Sequence, residues 1–353
     1  MTNPNKRIAV IPGDGIGVEV VAAAIPCVDA ALARYGARFQ WEYLDWGSER
    51  FQRTGQMMPS DGLESLRQHD AIFLGAVGAP GISDTDTLWG LLIPIRREFH
   101  QYINLRPIRA LAGVSSPVVG GDRMDLLIVR ENSEGEYSEV GGRVFANQPE
   151  EFVVQESIFS RRGVNRVAVY AAVKAKSRRG LLTSATKSNG ILHTMPFWDE
   201  VVEEAVKTVQ GVRLEKVLID ALAAKLILRP FDFDVIVASN LFGDILSDLA
   251  GAIAGSIGLA PSANLNPEGV YPSLFEPVHG SAPDIAGQGI ANPIGQIWSG
   301  ALMLDHLGFQ DAASDLIAAF ELALADGVLT RDLGGSASTQ QMSDSVITRL
   351  ESR

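Results

Sequence analysis

The hydrophobic positions fall into short apolar runs set between longer periodic stretches. KRIAVIP at 6–12 reads as a buried strand. A glycine turn, Gly13-Asp14-Gly15-Ile16-Gly17, follows it and opens an apolar helix to about Gly36, which Pro26 is expected to kink or interrupt. Next, Phe39, Trp41 and Tyr43 alternate with Arg38, Gln40 and Glu42, the period of a strand. Further apolar runs predict strands at 71–74, 126–129, 152–158, 167–170, 181–185, 214–219 and 235–238. Helical spacing occupies 197–208 and 245–254, then 294–307, 312–325 and 342–350. Strand and helix alternate almost throughout, which predicts an α/β protein with a large, mostly parallel sheet. No repeat or linker divides the chain, so two domains would share a sheet or interleave.

Composition narrows the function. With 353 residues, 46% hydrophobic, the chain can bury a large core. Its formal net charge of -12 argues against nucleic acid as a partner. An anionic substrate would need a local cluster of arginines. Cys27 is the only cysteine, which excludes an intrachain disulfide and a multi-thiolate zinc site. The polar N-terminus has no signal-peptide core, and no apolar run reads as a bilayer span, so a soluble cytoplasmic protein is expected.

Polar residues stand directly after strand after strand: Arg130-Glu131-Asn132, Thr186-Lys187-Ser188-Asn189, Asp220, and Ser239-Asn240. In α/β sheets ligands bind outside the carboxyl ends of strands. Asp244 and Asp248 lie four apart on a predicted helix, so both carboxylates share a face, with Ile245, Leu246 and Ser247 between them. A hard divalent cation would relieve their repulsion, although the pair alone reads equally well as an acidic helix face. Arg96, Arg97, Arg106, Arg109 and Arg130 crowd one region, and guanidinium forks suit carboxylates. For Arg97 and Arg109 a surface role is the simpler reading. Tyr137 and Lys187 are candidate proton carriers: a tyrosine beside cations gains acidity, and a lysine near a metal and arginines is moved towards use as a base. Two glycine-rich turns complete the set. PGDGIG at 12–17 is not the GxGxxG dinucleotide fingerprint, and HGSAPDIAGQGIAN at 279–292 could wrap an adenosine or be only a turn.

Taken together, PGDGIG, NLRP at 104–107, RENSEGEY at 130–137, KSNG at 187–190, NLFGDILSD at 240–248 and EPVHGSAPD at 276–284 resemble the β-decarboxylating dehydrogenases, the family of isocitrate and isopropylmalate dehydrogenases. The match spans nearly the whole chain in order. The resemblance implies an isopropylmalate-dehydrogenase-like fold: a large twisted, mostly parallel sheet and two interleaved domains. Residues 1–101 with 258–353 would bind cofactor, and 102–257 would bind substrate and metal and dimerise. It implies that Arg96, Arg106 and Arg130 grip the substrate, and that Asp220, Asp244 and Asp248 ligate Mg2+ or Mn2+. Lys187 would be the base for the hydroxyl and Tyr137 the acid for the enolate. Lys187 and Asp220 would come from the partner of an obligate homodimer. His279, Gly280, Ser281, Ala282, Asp284, Ile285 and Asn292 would hold the adenosine half of the cofactor. NADP-specific relatives carry Lys and Tyr where this chain has Asp284-Ile285, so NAD is expected.

The substrate is read from the segment before Arg96. Isocitrate enzymes place Ser six and Asn four residues before this arginine, where this chain has Gly90 and Leu92. Isopropylmalate enzymes place an acidic residue seven before it, where this chain has Trp89. LWG at 88–90, RREFHQY at 96–102, MPFWDE at 195–200 and SANLNPE at 262–268 resemble the tartrate and D-malate dehydrogenase branch. D-malate or tartrate is therefore expected as substrate. The apolar run 91–95, in which Pro94 is expected to bend the element carrying Arg96, keeps 3-isopropylmalate or another 3-alkylmalate as the alternative. A non-catalytic regulatory subunit is disfavoured because Tyr137, Lys187 and the three aspartates are all retained.

Overall fold

A computed structural model describes residues 5–352. Its strands are β1 (Asn5–Gly13), β2 (Arg38–Tyr43), β3 (Ala71–Ala76), β4 (Ile103–Arg109), β5 (Asp125–Glu131), β6 (Gly141–Val144), β7 (Phe152–Gln155), β8 (Leu181–Thr186), β9 (Arg213–Leu218), β10 (Val235–Ala238), β11 (Pro261–Leu265) and β12 (Ser273–Pro277). Ten of them form one sheet in the order β2-β1-β3-β12-β11-β4-β5-β10-β8-β9, while β6 and β7 make a separate hairpin. The central pairs β12–β11, β11–β4 and β4–β5 are antiparallel. Every other pair in the large sheet is parallel. Two parallel halves thus run in opposite directions and meet at an antiparallel seam. Since β5, β10, β8 and β9 share one direction, the polar loops after them leave the same edge of the sheet.

Several elements differ from the sequence pattern. Residues 167–170 are helical, within Arg161–Lys176. The buried positions of that helix, Val164, Val167, Ala168, Ala171, Ala172 and Ala175, keep the three-four spacing of a helix stripe, and Ser160 caps it by accepting from the Gly163 amide. A four-residue apolar window is too short to separate the two periods. Strands β4, β11 and β12 escape the pattern because they carry buried polar side chains: Asn104, Arg106, Ser262, Asn264 and Glu276. Of the strand expected at 152–158 only Phe152–Gln155 forms, as one arm of the exposed hairpin.

Pro26 does not interrupt the helix Ile16–Ala33. It sits on an exposed face, where water can take the carbonyl left without a backbone donor. This 18-residue helix is apolar enough to cross a bilayer by composition, contrary to the sequence reading, but 61% of it is buried inside the fold. Pro94 lies in the first turn of the helix Ile93–Glu98, directly after a π-helical turn at Leu88–Leu92. That wide turn is the form taken by the expected distortion ahead of Arg96.

The PGDGIG turn is a clamp rather than a phosphate cradle. Its Asp14 accepts from the Ser48 amide (2.8 Å), the Ser48 hydroxyl (2.6 Å) and the Gly78 amide (2.8 Å). The Asp14 amide donates to Ala76 O (2.7 Å) and the Ile16 amide to Ser281 O (2.8 Å). Gly17 and Gly75 face each other across this junction, and a methyl group at Gly75 would strike the backbone of Pro12 and Gly17. We predict that Gly75→Ala lowers stability by about 1–3 kcal/mol through overpacking, read as a reduced urea midpoint at unchanged slope.

Candidate active site

The site is built from strand β4, the end of strand β5 and the helix Asn240–Ile253 that follows β10. Arg130, at the end of β5, is buried and donates to Asn240 Oδ1 from Nε (3.1 Å) and a terminal nitrogen (2.7 Å), while its other terminal nitrogen pairs with Asp244. Arg106, on β4, donates to Asp244 (3.1 Å), to the Ser247 hydroxyl (2.5 Å) and to Asn104 Oδ1 (2.7 Å). The Tyr137 hydroxyl lies 3.3 Å from the other oxygen of Asp244. Arg96 arrives from the helix Ile93–Glu98 and pairs with Glu276 on β12 at 2.9 Å.

These side chains surround a cleft of about 230 Å³ lined by Arg96, Arg97, Arg106, Arg130, Tyr137, Asp244 and Glu276, with Leu88, Leu92 and Ile93 as an apolar wall. Four guanidiniums against two carboxylates make it locally cationic within a chain of net charge -12. Arg97 is therefore not a mere surface residue. It lies over the Trp89 ring at 4.8 Å, donates to Tyr137 O at 3.2 Å and pairs with Glu139 at 2.6 Å. Arg109 is elsewhere, paired with Glu321 at 2.5 Å.

The charges tune one another. Burial pushes the Asp244 carboxyl up, but Arg130, Arg106 and Arg96 outweigh it and hold the group below the usual carboxylate range. Burial, and then the charge of Asp244, push Asp248 up, and its ion pair to Arg106 is a long 3.9 Å. Burial and the Asp244 charge also raise Tyr137, with Arg130 opposing. The sequence expectation of an acidified tyrosine is thus reversed: burial, with the anion in contact with the hydroxyl, outweighs the cations behind it.

Lys187 and Asp220 are not among the residues lining this cleft. They follow the adjacent parallel strands β8 and β9, where Thr186 pairs with Leu218, and form an ion pair of 2.7 Å. Lys187 is therefore not set among arginines within its own chain, and Asp220, largely exposed, is held below its usual pKa by Lys187. No group of three or more His, Cys, Asp or Glu able to hold a metal forms among the described residues.

A second cleft of about 420 Å³ adjoins the first through His279, which lines both. Its walls include Ile16, Ala282, Ile285, Asn292 and Arg331. The His279 Nδ1 lies 3.0 Å from Gly280 O, and Nε2 is buried without a partner. Burial lowers the pKa of this imidazole. Gly280 lines the first cleft, and Ser281 holds the PGDGIG turn through its carbonyl. The Asn292 amide is engaged, donating to Asp332 (3.0 Å) and accepting from the Ile294 amide (3.0 Å). Asp284 is exposed and does not line the cleft.

A relay of buried side-chain amides went unread in the sequence. Asn264 Oδ1 accepts from Asn104 (2.8 Å) and Asn132 (2.8 Å), and its own amide donates to Glu276 (2.8 Å), the partner of Arg96. Thus Glu276, Asn264 and Asn104 join Arg96 to Arg106 across three strands, β12, β11 and β4. The available signal was the cluster of polar residues inside otherwise apolar segments, NLR at 104–106 and SAN at 262–264.

Comparison with known proteins agrees with this geometry. Residues 7–346 match the family model described as isocitrate/isopropylmalate dehydrogenase. The chain is 53% identical over 351 residues to the D-malate dehydrogenase [decarboxylating] of Escherichia coli, covering 96% of this chain and 97% of that protein. It is 52% identical over 348 residues to the tartrate dehydrogenase/decarboxylase of Pseudomonas putida, covering 95% of each. The solved isocitrate dehydrogenase from Methylococcus capsulatus superposes with a TM-score of 0.89 at 32% identity, covering 98% of this chain and 99% of that one. A match that spans both halves of the sheet and the loops between them makes the chain a member of the isocitrate/isopropylmalate dehydrogenase family.

Proposed function

We propose that this dehydrogenase oxidises D-malate or tartrate with NAD and Mg2+ or Mn2+, that decarboxylation accompanies the oxidation, and that it works as a cytoplasmic homodimer with shared sites. The observation that carries the reading is the convergence of Arg96, Arg106, Arg130, Tyr137 and Asp244 on one cleft. Three guanidiniums there suit a substrate with two carboxylates.

The donor set fits a hard divalent ion. Asp244 and Asp248 stand one helical turn apart, and burial together with the charge of Asp244 holds the Asp248 carboxyl above its usual range despite the nearby arginines, a strain that a cation would relieve. Asp220 from a second copy would be the third ligand. When bound, the ion supplies Lewis-acid stabilisation of negative charge on the substrate oxygens, and nicotinamide supplies the hydride acceptor. The chain's own residues supply the rest. Arg96, Arg106 and Arg130 orient the carboxylates; Lys187 takes the hydroxyl proton during oxidation; Tyr137 returns a proton to the enolate carbon after carbon dioxide leaves.

The apolar second cleft, with an unpartnered His279 nitrogen between it and the first, fits an extended dinucleotide whose adenosine lies against residues 282–292. The exposed Asp284 would repel a 2′-phosphate, which favours NAD. The sheet order supports a division into 1–101 with 258–353 and 102–257: β2, β1, β3, β12 and β11 adjoin on one side of the seam, and β4, β5, β10, β8 and β9 on the other.

Two features support the dimer. Lys187 and Asp220 stand outside the cleft of their own chain. Large apolar side chains are also exposed: Phe145, Phe152 and Val153 on the hairpin, and Leu228, Leu241 and Ile245 on the neighbouring helices Ile219–Leu228 and Asn240–Ile253. Leu241 and Ile245 lie beside Asp244 and Asp248 on one helix, so a second copy packed there reaches the carboxylates. The apolar wall of Leu88, Leu92 and Ile93 beside Arg96 favours a second reading, a 3-alkylmalate as substrate.

Three outcomes are expected. In an assay of NADH formation with each metal, D-malate or tartrate gives the highest kcat/KM, above 3-isopropylmalate, with isocitrate lowest; a preference for isocitrate rejects the substrate assignment. Asp244→Asn reduces turnover to background at ordinary metal concentrations with far-UV circular dichroism unchanged at about 25 °C, while the thermal midpoint falls because Arg106 and Arg130 lose their shared anion. Lys187→Met stops oxidation of the hydroxy acid but spares much of the decarboxylation of the keto acid, measured as carbon dioxide release; equal loss of both rejects the role of Lys187.

A further inference from the structure

The segment 131–137 carries three glutamates, and each is tied to a different place. Glu131, fully buried, closes its own loop by accepting from the Ser133 amide (2.9 Å) and the Glu134 amide (2.8 Å). Glu134 accepts from the Ser160 amide (2.9 Å) and hydroxyl (2.8 Å), at the start of the helix Arg161–Lys176. Glu136 reaches the start of the helix Asn240–Ile253: one oxygen accepts from the Ser239 hydroxyl (2.7 Å) and the other from the Leu241 amide (3.1 Å). Ser239 is the N-cap of that helix, yet its side chain accepts no hydrogen bond from the helix. The carboxylate of Glu136 does the capping from a separate loop, at the positive end of the helix dipole.

The next residue is Tyr137, whose hydroxyl contacts Asp244 on the same helix. Two consecutive side chains of one loop therefore hold one helix at two points, at Ser239–Leu241 and at Asp244. We propose that Glu136 is a positioning residue that fixes the loop bearing Tyr137 in register with the helix bearing Asp244 and Asp248. Without it, the loop beyond Arg130 is tied to this helix only by the long contact from the Asn240 side-chain amide to Glu134 O (3.4 Å) and by the Tyr137 hydroxyl itself. This role rests on Tyr137 being the proton donor of the reaction proposed above.

The test is a double-mutant cycle read by NADH formation from D-malate, with circular dichroism confirming that each variant folds. Glu136→Gln keeps the size of the side chain but loses one of its two acceptors. It is expected to lower kcat roughly 10- to 100-fold, the usual effect of a supporting hydrogen bond at a metal site, with the KM for NAD unchanged. Ser239→Ala, which removes the hydroxyl donor and leaves the carboxylate, lowers kcat in the same direction by less. Tyr137→Phe lowers kcat by itself, and in that background Glu136→Gln costs no more than about twofold, because the group it positions is already gone. Wild-type kcat in both Glu136→Gln and Ser239→Ala overturns the proposal. A full loss on adding Glu136→Gln to Tyr137→Phe overturns it as well, while leaving the role of Tyr137 standing. A wild-type kcat in Tyr137→Phe removes the proton donor itself, and the positioning role falls with it.

Discussion

The site depends on a single carboxylate placed between two buried guanidiniums. Arg106 and Arg130 are almost withdrawn from solvent, and an unpaired buried cation is too costly to keep. Asp244 compensates both, and the three groups fix the angle between strand β4, strand β5 and the helix Asn240–Ile253. One such pair would tie two elements together. Two pairs sharing an anion leave the helix little freedom to rotate, so Asp244 stays turned to the cleft.

Buried polar side chains extend the same constraint across the seam of the sheet. Asn104 and Asn132 both donate to Asn264, whose own amide donates to Glu276, which in turn holds Arg96. Each amide supplies both donors and acceptors, so a chain of them transmits orientation without adding net charge. Arginines from a short helix and from two strands are thereby brought to one cleft. The polar residues in the middle strands of an otherwise apolar sheet take their place from this network rather than from the core.

Electrostatics divides the molecule into an acidic exterior and a cationic pocket. The exterior gives solubility, and the pocket concentrates field where a dicarboxylate would bind. Within the pocket the acid–base properties follow nearest neighbours rather than the average charge. Tyr137 sits amid arginines yet keeps its proton more firmly than a free tyrosine, because burial and Asp244 act on it at shorter range.

The sequence by itself determined the fold class, the strands β1, β2, β3, β5, β8, β9 and β10, the arginine cluster and the carboxylate pair at Asp244 and Asp248, since each of these is a local pattern of period or spacing. It also carried the family motifs. It could not separate strand from helix at 167–170, where a four-residue apolar window fits both periods, nor find β4, β11 and β12, whose inward side chains are polar. Only the tertiary structure decided that Arg97 belongs to the cleft and that Asn104, Asn132, Asn264 and Glu276 form a relay. The same holds for the capping of a helix by Glu136, about a hundred residues away, and for the separation of Lys187 and Asp220 from Asp244 within one chain. These are contacts between distant segments, set by sheet order and strand direction. No spacing along the chain encodes which buried polar groups will meet.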